Sequence, residues 1–167
     1  MLRRVLTLLA LVAMAATAAA CSDGDDDVPD GRALMTTPFV TFDGEEVRLD
    51  DHRGKPIVVN FFASWCTPCI AEMPDFETVH RELGDRVMFV GLNYDDPVDK
   101  GAELVRRTGV TYLVGRDVDG KLFRAAEGIQ MPTTVFIRSD GTVADVRSRA
   151  LNADTLRATI REELGVT

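Results

Sequence analysis

The segment from residue 61 to residue 74 constrains the fold of this chain more than any other. It places two cysteines, Cys66 and Cys69, between an apolar strand-like run and a run with helical spacing of apolar residues. The first turn of a helix brings residues i and i+3 together, so one thiol can attack the sulfur of the other. A thiol pair at a strand-to-helix junction is typical of redox proteins. The spacing therefore predicts thiol-disulfide exchange through a mixed disulfide.

The place of each cysteine on the predicted helix assigns it a different task. Only a thiolate attacks a disulfide, and the unpaired N–H groups and positive dipole end of a helix stabilise a thiolate at its start. We therefore expect Cys66 to be the attacking thiol and Cys69 to resolve the mixed disulfide. Pro68 suits the first helical turn, where a missing N–H costs nothing, and Trp65 offers a flat apolar surface beside Cys66.

Two structural explanations of the cysteine pair compete with the redox one. A structural disulfide that closes so short a loop removes little chain entropy, so it would stabilise the fold only slightly. A structural zinc site needs four ligands, and the other candidates, His52, His80 and Cys21, do not supply a second close pair. We therefore expect neither a metal nor a cofactor at this site.

Two stretches of the sequence carry a resemblance to a known family. Residues 58–69, together with Glu72 and Pro74, resemble the TlpA/ResA-type branch of the thioredoxin superfamily. Residues 130–134 resemble the cis-proline loop of the same branch. The resemblance extends from about residue 36 to the C-terminus. It implies a thioredoxin-like α/β fold and the activity of a thiol-disulfide oxidoreductase.

The resemblance also implies roles outside the cysteine pair. Thioredoxin has a buried aspartate six residues before its first cysteine, and this chain has Asn60 there. The difference removes the usual proton acceptor and makes Glu72 its expected substitute, although an ordinary acid in an early helical turn is the alternative. We expect a cis bond before Pro132, which would turn the backbone of Met131 toward the cysteines so that it pairs with an extended substrate.

The start of the chain has the layout of an export signal. Residues 1–4 contain two arginines, an uncharged alanine-rich run follows, and Cys21 comes directly after it. This layout resembles the cleavage site of a bacterial lipoprotein, although Ala18 stands where leucine is usual. We expect residues 1–20 to be a signal peptide and Cys21 to be lipidated, which leaves one cysteine pair. The alternatives are an ordinary cleaved signal or an uncleaved anchor, although the apolar run is shorter than the roughly 20 residues that span a bilayer.

The remaining sequence divides into a tether and one domain. We expect residues 21–35 to form a flexible acidic tether and residues 36–167 to form a single domain. The net charge of −8 argues against nucleic acid or an anionic membrane surface as a partner. The expected location is extracytoplasmic, at the outer face of the cell membrane. There the partners would be thiols and disulfides of exported proteins, together with a membrane electron donor or acceptor.

Hydrophobic patterns predict the elements of the domain. Two buried parallel strands, residues 57–62 and 87–92, are joined by the helix after Cys66, which Pro74 should kink. An N-terminal hairpin should turn at residues 43 and 44 in type I′ geometry. The other expected elements are hairpin strands at 39–42 and 45–49, a strand at 111–114, helices at 98–108, 120–126 and 152–164, and a second hairpin from 133–138 and 143–147. Together they predict an α/β fold with a mixed central sheet, helices on both faces and an N-terminal β-hairpin extension.

Three classes of function remain after these observations. The first is a membrane-tethered thiol-disulfide oxidoreductase, for which the resemblance implies reduction of exported proteins such as apocytochrome c during cytochrome c maturation. A disulfide-forming oxidase is its alternative, because residues 67 and 68 alone do not fix the redox potential. A thiol peroxidase needs a threonine a few residues before the attacking cysteine, and none stands between Asn60 and Cys66. A binding module without activity is disfavoured by the presence of both cysteines and Pro132.

No catalytic role is predicted for four other polar residues. His52 and His80 lie outside both motifs and are expected to be surface or structural side chains. Tyr94 and Asp95 follow a strand end, where α/β sheets gather ligands, but they are also ordinary turn residues.

Overall fold

The computed structural model describes residues 31–167. The expected signal peptide, the lipidation site at Cys21 and residues 21–30 of the expected tether lie outside the described residues. The strands are β1 (Phe39–Thr41), β2 (Glu46–Val47), β3 (Ile57–Phe62), β4 (Met88–Tyr94), β5 (Leu113–Asp117), β6 (Thr133–Ile137) and β7 (Val143–Arg147). The helices are α1 (Gly31–Thr36), α2 (Thr67–Leu83), α3 (Val98–Thr108), α4 (Lys121–Ala125) and α5 (Ala153–Leu164).

These strands form one seven-stranded mixed sheet in the order β2-β1-β5-β4-β3-β6-β7. The central strands β3, β4 and β5 are parallel, whereas β1 and β6 pair with them in the antiparallel sense. The carboxyl ends of the three parallel strands therefore lie at the same edge of the sheet. The cysteine segment follows β3 at this edge, as the sequence predicts.

Both faces of the sheet are covered by helices. Alternate residues of β3 point to opposite faces, and all six residues are buried because each face packs against helices. Val58 and Phe62 share a core with α2, α3 and α5, whereas Val59 and Phe61 share a second core with α1 and α4. This arrangement confirms the predicted thioredoxin-like fold with a mixed sheet between two helical layers.

The folded part of the chain begins earlier than the sequence indicates. The sequence predicts a flexible tether up to residue 35, yet Gly31–Thr36 is helical and its Leu34 and Met35 are buried. These two side chains join the core that contains Leu122 and Phe123 of α4. Because these side chains are buried, residues 31–35 belong to the domain rather than to the tether. The sequence does not indicate this, since the apolar pair is short and follows an acidic stretch.

The turn of the N-terminal hairpin differs from the predicted type I′ turn. Gly44 has a φ of +92°, but Asp43 does not have a positive φ, which type I′ geometry requires at both central residues. The N–H of Gly44 donates to the carbonyl of Thr41 at 3.1 Å, and the N–H of Thr41 donates to the carbonyl of Glu45 at 2.8 Å. These bonds describe a type I turn followed by a left-handed glycine, the usual three-residue hairpin loop. The segment between β2 and β3 contains a 3-10 helix, Leu49–His52.

Strand β5 lies further along the chain than the predicted strand at residues 111–114. The backbone N–H and the hydroxyl of Thr111 donate to the carboxylate of Glu77 on α2, at 2.7 and 2.8 Å. Tyr112 packs edge-on against His80 of α2 and is buried. The apolar residues in this region therefore fill the core against α2, while the more polar segment that follows pairs with β4 and β1.

Within residues 31–167, no helix has both the length and the apolar character needed to cross a bilayer. Helix α2 continues through Pro74 to Leu83.

Candidate active site

The two cysteines form a disulfide at the start of α2. Their Cα atoms are 5.3 Å apart, and both residues are buried. Cys66 is the N-cap residue of α2, and its Sγ accepts a hydrogen bond from the N–H of Cys69 at 3.3 Å. The same N–H is available to a Cys66 thiolate after reduction, together with the positive end of the helix. The N-cap geometry thus fits an attacking thiol at Cys66.

Glu72 lies one turn along α2 from the disulfide and is 3% exposed. Its Oε1 accepts from the side-chain amide of Asn60 at 2.8 Å, and its Oε2 accepts from the N–H of Leu151 at 2.9 Å. Burial raises the pKa of Glu72 from 4.5 to about 7, although both hydrogen bonds favour the carboxylate and lower it, and nearby Asp75 adds to the rise. A carboxyl with this pKa can take up and release a proton near neutral pH.

Asn60 connects Glu72 to the central sheet. Its Nδ2 also donates to the hydroxyl of Thr134 on β6 at 3.2 Å, so one amide joins β3, α2 and β6. Its Oδ1 is buried and has no hydrogen-bond partner within residues 31–167. A cavity of about 300 Å³ lies beside Glu72 and is lined by Pro68 and Leu151, among others. Asn60 therefore occupies the place of the thioredoxin aspartate as a donor that holds Glu72.

Trp65 lies beside the disulfide with its ring largely exposed. Its indole N–H donates to the backbone carbonyl of Asp95 at 2.9 Å. Asp95 has a φ of +48°, which is uncommon for a residue other than glycine. The loop after β4 therefore supports the exposed ring that the sequence assigns to substrate contact.

A network that the sequence analysis missed fixes the turn before Cys66. The carboxylate of Asp96 accepts from the N–H of Ser64 at 2.7 Å, from its hydroxyl at 2.6 Å, and from the amide of Asn93 at 2.8 Å. Gly101 allows the close approach of Asn93, because a Cβ there would lie 2.4 Å from Asn93 Oδ1. Ser64 and Asp96 follow two parallel strands whose carboxyl ends lie at the same edge of the sheet, and this arrangement could have predicted that they lie close together.

The loop before β6 lies next to the end of β3. The peptide bond between Met131 and Pro132 is cis, as expected. Thr133 pairs with Phe61 in the antiparallel register, so the next step of the ladder places Pro132 opposite Phe62 and Met131 opposite the turn that leads to Cys66. Met131 is half-buried and packs against the core that contains the cysteines. The structure thus brings together five of the predicted site residues besides Cys66, namely Trp65, Cys69, Glu72, Met131 and Pro132, whereas Cys21 lies outside the described residues.

The two histidines lie apart from this site. His80 packs edge-on against Phe89 and Tyr112 in the core on the α2 face. His52 ends the 3-10 helix after β2. Tyr94 stacks on Phe123 of α4.

Comparison with known proteins shows which family the chain belongs to. The sequence pattern of the AhpC/TSA family matches residues 26–146. The thiol-disulfide oxidoreductase ResA of Oceanobacillus iheyensis is 29% identical over 138 residues, which cover 82% of this chain and 71% of ResA. The thioredoxin-like protein YneN of Bacillus subtilis is 30% identical over 122 residues, which cover 71% of each chain.

Solved structures give the same result at the level of the fold. The DsbF protein of Mycobacterium tuberculosis superposes with a TM-score of 0.73 at 28% identity, over 78% of this chain and 96% of DsbF. The exposed lipoprotein thioredoxin Etrx1 of Streptococcus pneumoniae superposes with a TM-score of 0.65 at 26% identity, over 75% of this chain and 98% of Etrx1. Taken with the disulfide at the start of α2, these matches show that the chain belongs to the AhpC/TSA family and is a ResA-like, thioredoxin-fold thiol-disulfide oxidoreductase.

Proposed function

We propose that this enzyme acts outside the cytoplasm, tethered to the outer face of the cell membrane through a lipidated Cys21, and that it reduces disulfides in exported proteins such as apocytochrome c. The export-signal layout of residues 1–20 supports the location, as does the likeness to an exposed lipoprotein. The TlpA/ResA resemblance supports the substrate class. The observation that carries the proposal is the Cys66–Cys69 pair with the buried Glu72 one helical turn beyond it.

The reaction starts from the reduced enzyme. The Cys66 thiolate attacks one sulfur of the substrate disulfide, a bond forms between the two sulfurs, and the other substrate sulfur leaves as a thiolate that takes up a proton. Cys69 then loses its proton and attacks Cys66 Sγ, which forms the Cys66–Cys69 disulfide and releases the second substrate thiol. Two electrons pass from enzyme to substrate, and a membrane electron donor returns them.

Glu72 is the proposed proton acceptor for Cys69 in the resolving step. Its pKa near neutrality and its place one turn along the same helix suit this task. Glu72→Gln should slow resolution of a preformed mixed disulfide and remove an inflection near pH 7 from its rate profile. Rapid-quench measurement of thiol release tests this, and the control Asp75→Asn on the same helix should keep the inflection, moved to slightly lower pH. An unchanged profile would return Glu72 to a purely structural role.

Trp65, Met131 and Pro132 are the proposed substrate-binding residues. The exposed Trp65 ring gives an apolar surface beside the attacking sulfur, and the register of β6 supports a position for Met131 next to the turn that carries Cys66. The backbone of an extended substrate segment could pair with the Met131 edge.

The direction of electron flow distinguishes the proposed reductase from the alternative oxidase. Dithiols of this kind span roughly −270 to −120 mV, according to how strongly the thiolate is stabilised. Equilibration of the Cys66–Cys69 couple with glutathione measures its potential. A value near the reducing end supports the reductase, and a value near the oxidising end supports the oxidase. Failure to consume peroxide would separate both from a thiol peroxidase.

The partner can be identified by trapping. In Cys69→Ser, Cys66 can attack but the mixed disulfide cannot be resolved, so adducts with the true partners should accumulate in the cells that make this protein. The proposal predicts apocytochrome c with a C-x-x-C-H site among them, and a membrane electron donor. The double variant Cys66→Ser, Cys69→Ser is the control and should trap nothing. A broad set of exported cysteine proteins without apocytochrome c would contradict the maturation role.

A further inference from the structure

Four large apolar side chains are exposed within residues 31–167; two of them line one groove, and a third contacts the loop at its border. Val98 and Val118 are 50% and 69% exposed and line a cavity of about 420 Å³ together with Asp95 and Arg116. Trp65, 55% exposed, borders the same loop, because its indole N–H donates to the carbonyl of Asp95. A second cavity of about 250 Å³ shares Asp95 and Val118 with the first. These five residues define what we name the Asp95 groove.

The groove continues from the disulfide along one edge of the sheet. Cys66 follows β3, Asp95 follows β4 and Val118 follows β5, and these three strands are parallel neighbours. Neighbouring strands are about 4.8 Å apart, and an extended chain advances about 3.3 Å per residue. A peptide that runs from Cys66 across β4 to β5 therefore covers about 10 Å in about three residues.

Asp95 differs from Asp96 and Asp117, the two other acidic residues that line the first cavity. The carboxylate of Asp96 is bound by Ser64 and Asn93, and that of Asp117 accepts from two N–H groups at the start of α4. The carboxylate of Asp95 has no hydrogen bond or ion pair with any residue from 31 to 167, and its backbone has a φ of +48°. Strained backbone that carries an unused polar group is a reason to look for a function there.

We propose that the Asp95 groove binds the part of a substrate polypeptide about three residues from its reactive cysteine, and that it selects lysine or arginine at that place. The inference rests on the proposed reduction of protein disulfides. Lysine and arginine have an apolar stem and a charged end. Trp65, Val98 and Val118 match the stem, and the free carboxylate of Asp95 matches the charge. The positive charge of Arg116 would repel lysine or arginine, so an acidic side chain of the substrate is the competing occupant.

The test compares three peptides that differ at one residue. Each has a single cysteine blocked as a mixed disulfide with thionitrobenzoate and carries Lys, Ser or Glu three residues before or after it. The Cys66 thiolate attacks the peptide sulfur, the peptide S–S bond breaks, and thionitrobenzoate leaves with the electron pair as a coloured thiolate. The reduced full chain should react with the better-placed Lys peptide about five times faster than with the matching Glu peptide at low salt, as expected for one exposed charge contact.

Asp95→Asn is the discriminating variant, because asparagine tolerates a positive φ and removes only the charge. It should bring the Lys-to-Glu rate ratio to one or below, because Arg116 remains, and Asp99→Asn, an exposed acid on α3 outside the groove, should keep the wild-type ratio. Added salt should lower the wild-type ratio.

Three results would overturn the inference. They are a wild-type ratio near one, a faster Glu peptide, or an Asp95→Asn variant that slows all three peptides equally, which would indicate a structural role for the loop. Absence of reaction with every peptide would instead overturn the oxidoreductase function on which the inference rests.

Discussion

Glu72 combines a buried carboxyl with hydrogen bonds that favour its charged form. Burial is the larger effect, so the pKa of Glu72 rises to about 7. Asn60 and Leu151 supply one donor to each oxygen, which keeps the ionised form accessible inside the protein. This residue therefore sits near the midpoint of its titration at neutral pH and links proton transfer to stability.

Glu72→Gln should remove a pH dependence from the stability of the oxidised protein. The unfolded carboxyl has a pKa of 4.5 and the folded one a pKa of about 7, so the folded state holds the proton more tightly. In the wild type, the contribution of Glu72 to the free energy of unfolding should be fully present below about pH 4.5, be lost as the pH rises to about 7, and stay absent above that pH. The fall corresponds to about 3 kcal/mol. Urea unfolding of wild type and variant across this range measures it.

The surroundings of Glu72 allow this comparison. After the change, the unpartnered Oδ1 of Asn60 can turn toward the side-chain amide of the introduced glutamine, while the glutamine oxygen keeps the bond from the N–H of Leu151. Asp75→Asn is the control and should keep most of the wild-type pH dependence, because burial remains. Parallel curves for wild type and Glu72→Gln would contradict a raised pKa.

At the scale of elements, the sequence predicts the strand-to-helix unit well and the loop after β4 poorly. The apolar run of β3 and the helical spacing after Cys66 are local signals. The bonds from Ser64 to Asp96 and from Trp65 to Asp95 join residues about 30 positions apart, and no local pattern reports such contacts. The sequence predicts β5 too early in the chain for a related reason, because the hydrogen bonds of Thr111 to Glu77 override local β-propensity.

Asp96→Ala should loosen the turn that carries Cys66. The change leaves the N–H and the hydroxyl of Ser64 without their acceptor and removes the shorter of the two hydrogen bonds of the Asn93 amide, at a cost of about 1–3 kcal/mol in the free energy of unfolding. We also expect slower alkylation of Cys66 in the reduced protein. Ser64 is two residues before Cys66, so a looser turn should hold the Cys66 thiolate less firmly at the start of α2. Asp99→Ala, exposed in the first turn of α3, is the control and should change stability by less than about 0.5 kcal/mol. Equal stability of the two variants would rule out this role for Asp96.

For the whole molecule, fold class and reaction chemistry were predictable and the extent of the domain was not. The cysteine pair, the parallel strands and the proline loop each have a sequence signature. Helix α1 has none, since it is short and follows an acidic stretch. The bond from Leu151 to Glu72 also required the assembled fold, because it joins the loop just before the last helix to the active-site helix.

Leu34→Ala tests whether α1 belongs to the domain. Leu34 is fully buried in the core that α4 shares, so its truncation should cost about 2–5 kcal/mol in the free energy of unfolding. Ala33→Ser, exposed on the same helix, should have little effect. Thermal and urea unfolding measure both variants. No loss of stability in Leu34→Ala would place residues 31–35 back in a tether.

The central claim is that Cys66 attacks and Cys69 resolves. Mass spectrometry of the purified wild type and of the variants Cys66→Ser and Cys69→Ser, after reaction with a disulfide-linked model protein such as insulin, tests it most directly. Cys69→Ser should form a stable mixed disulfide on Cys66, wild type should release its substrate as the Cys66–Cys69 disulfide forms, and Cys66→Ser should react far more slowly. A faster adduct on Cys69, or no adduct in Cys69→Ser while Cys66 still reacts with an alkylating reagent, would contradict the account.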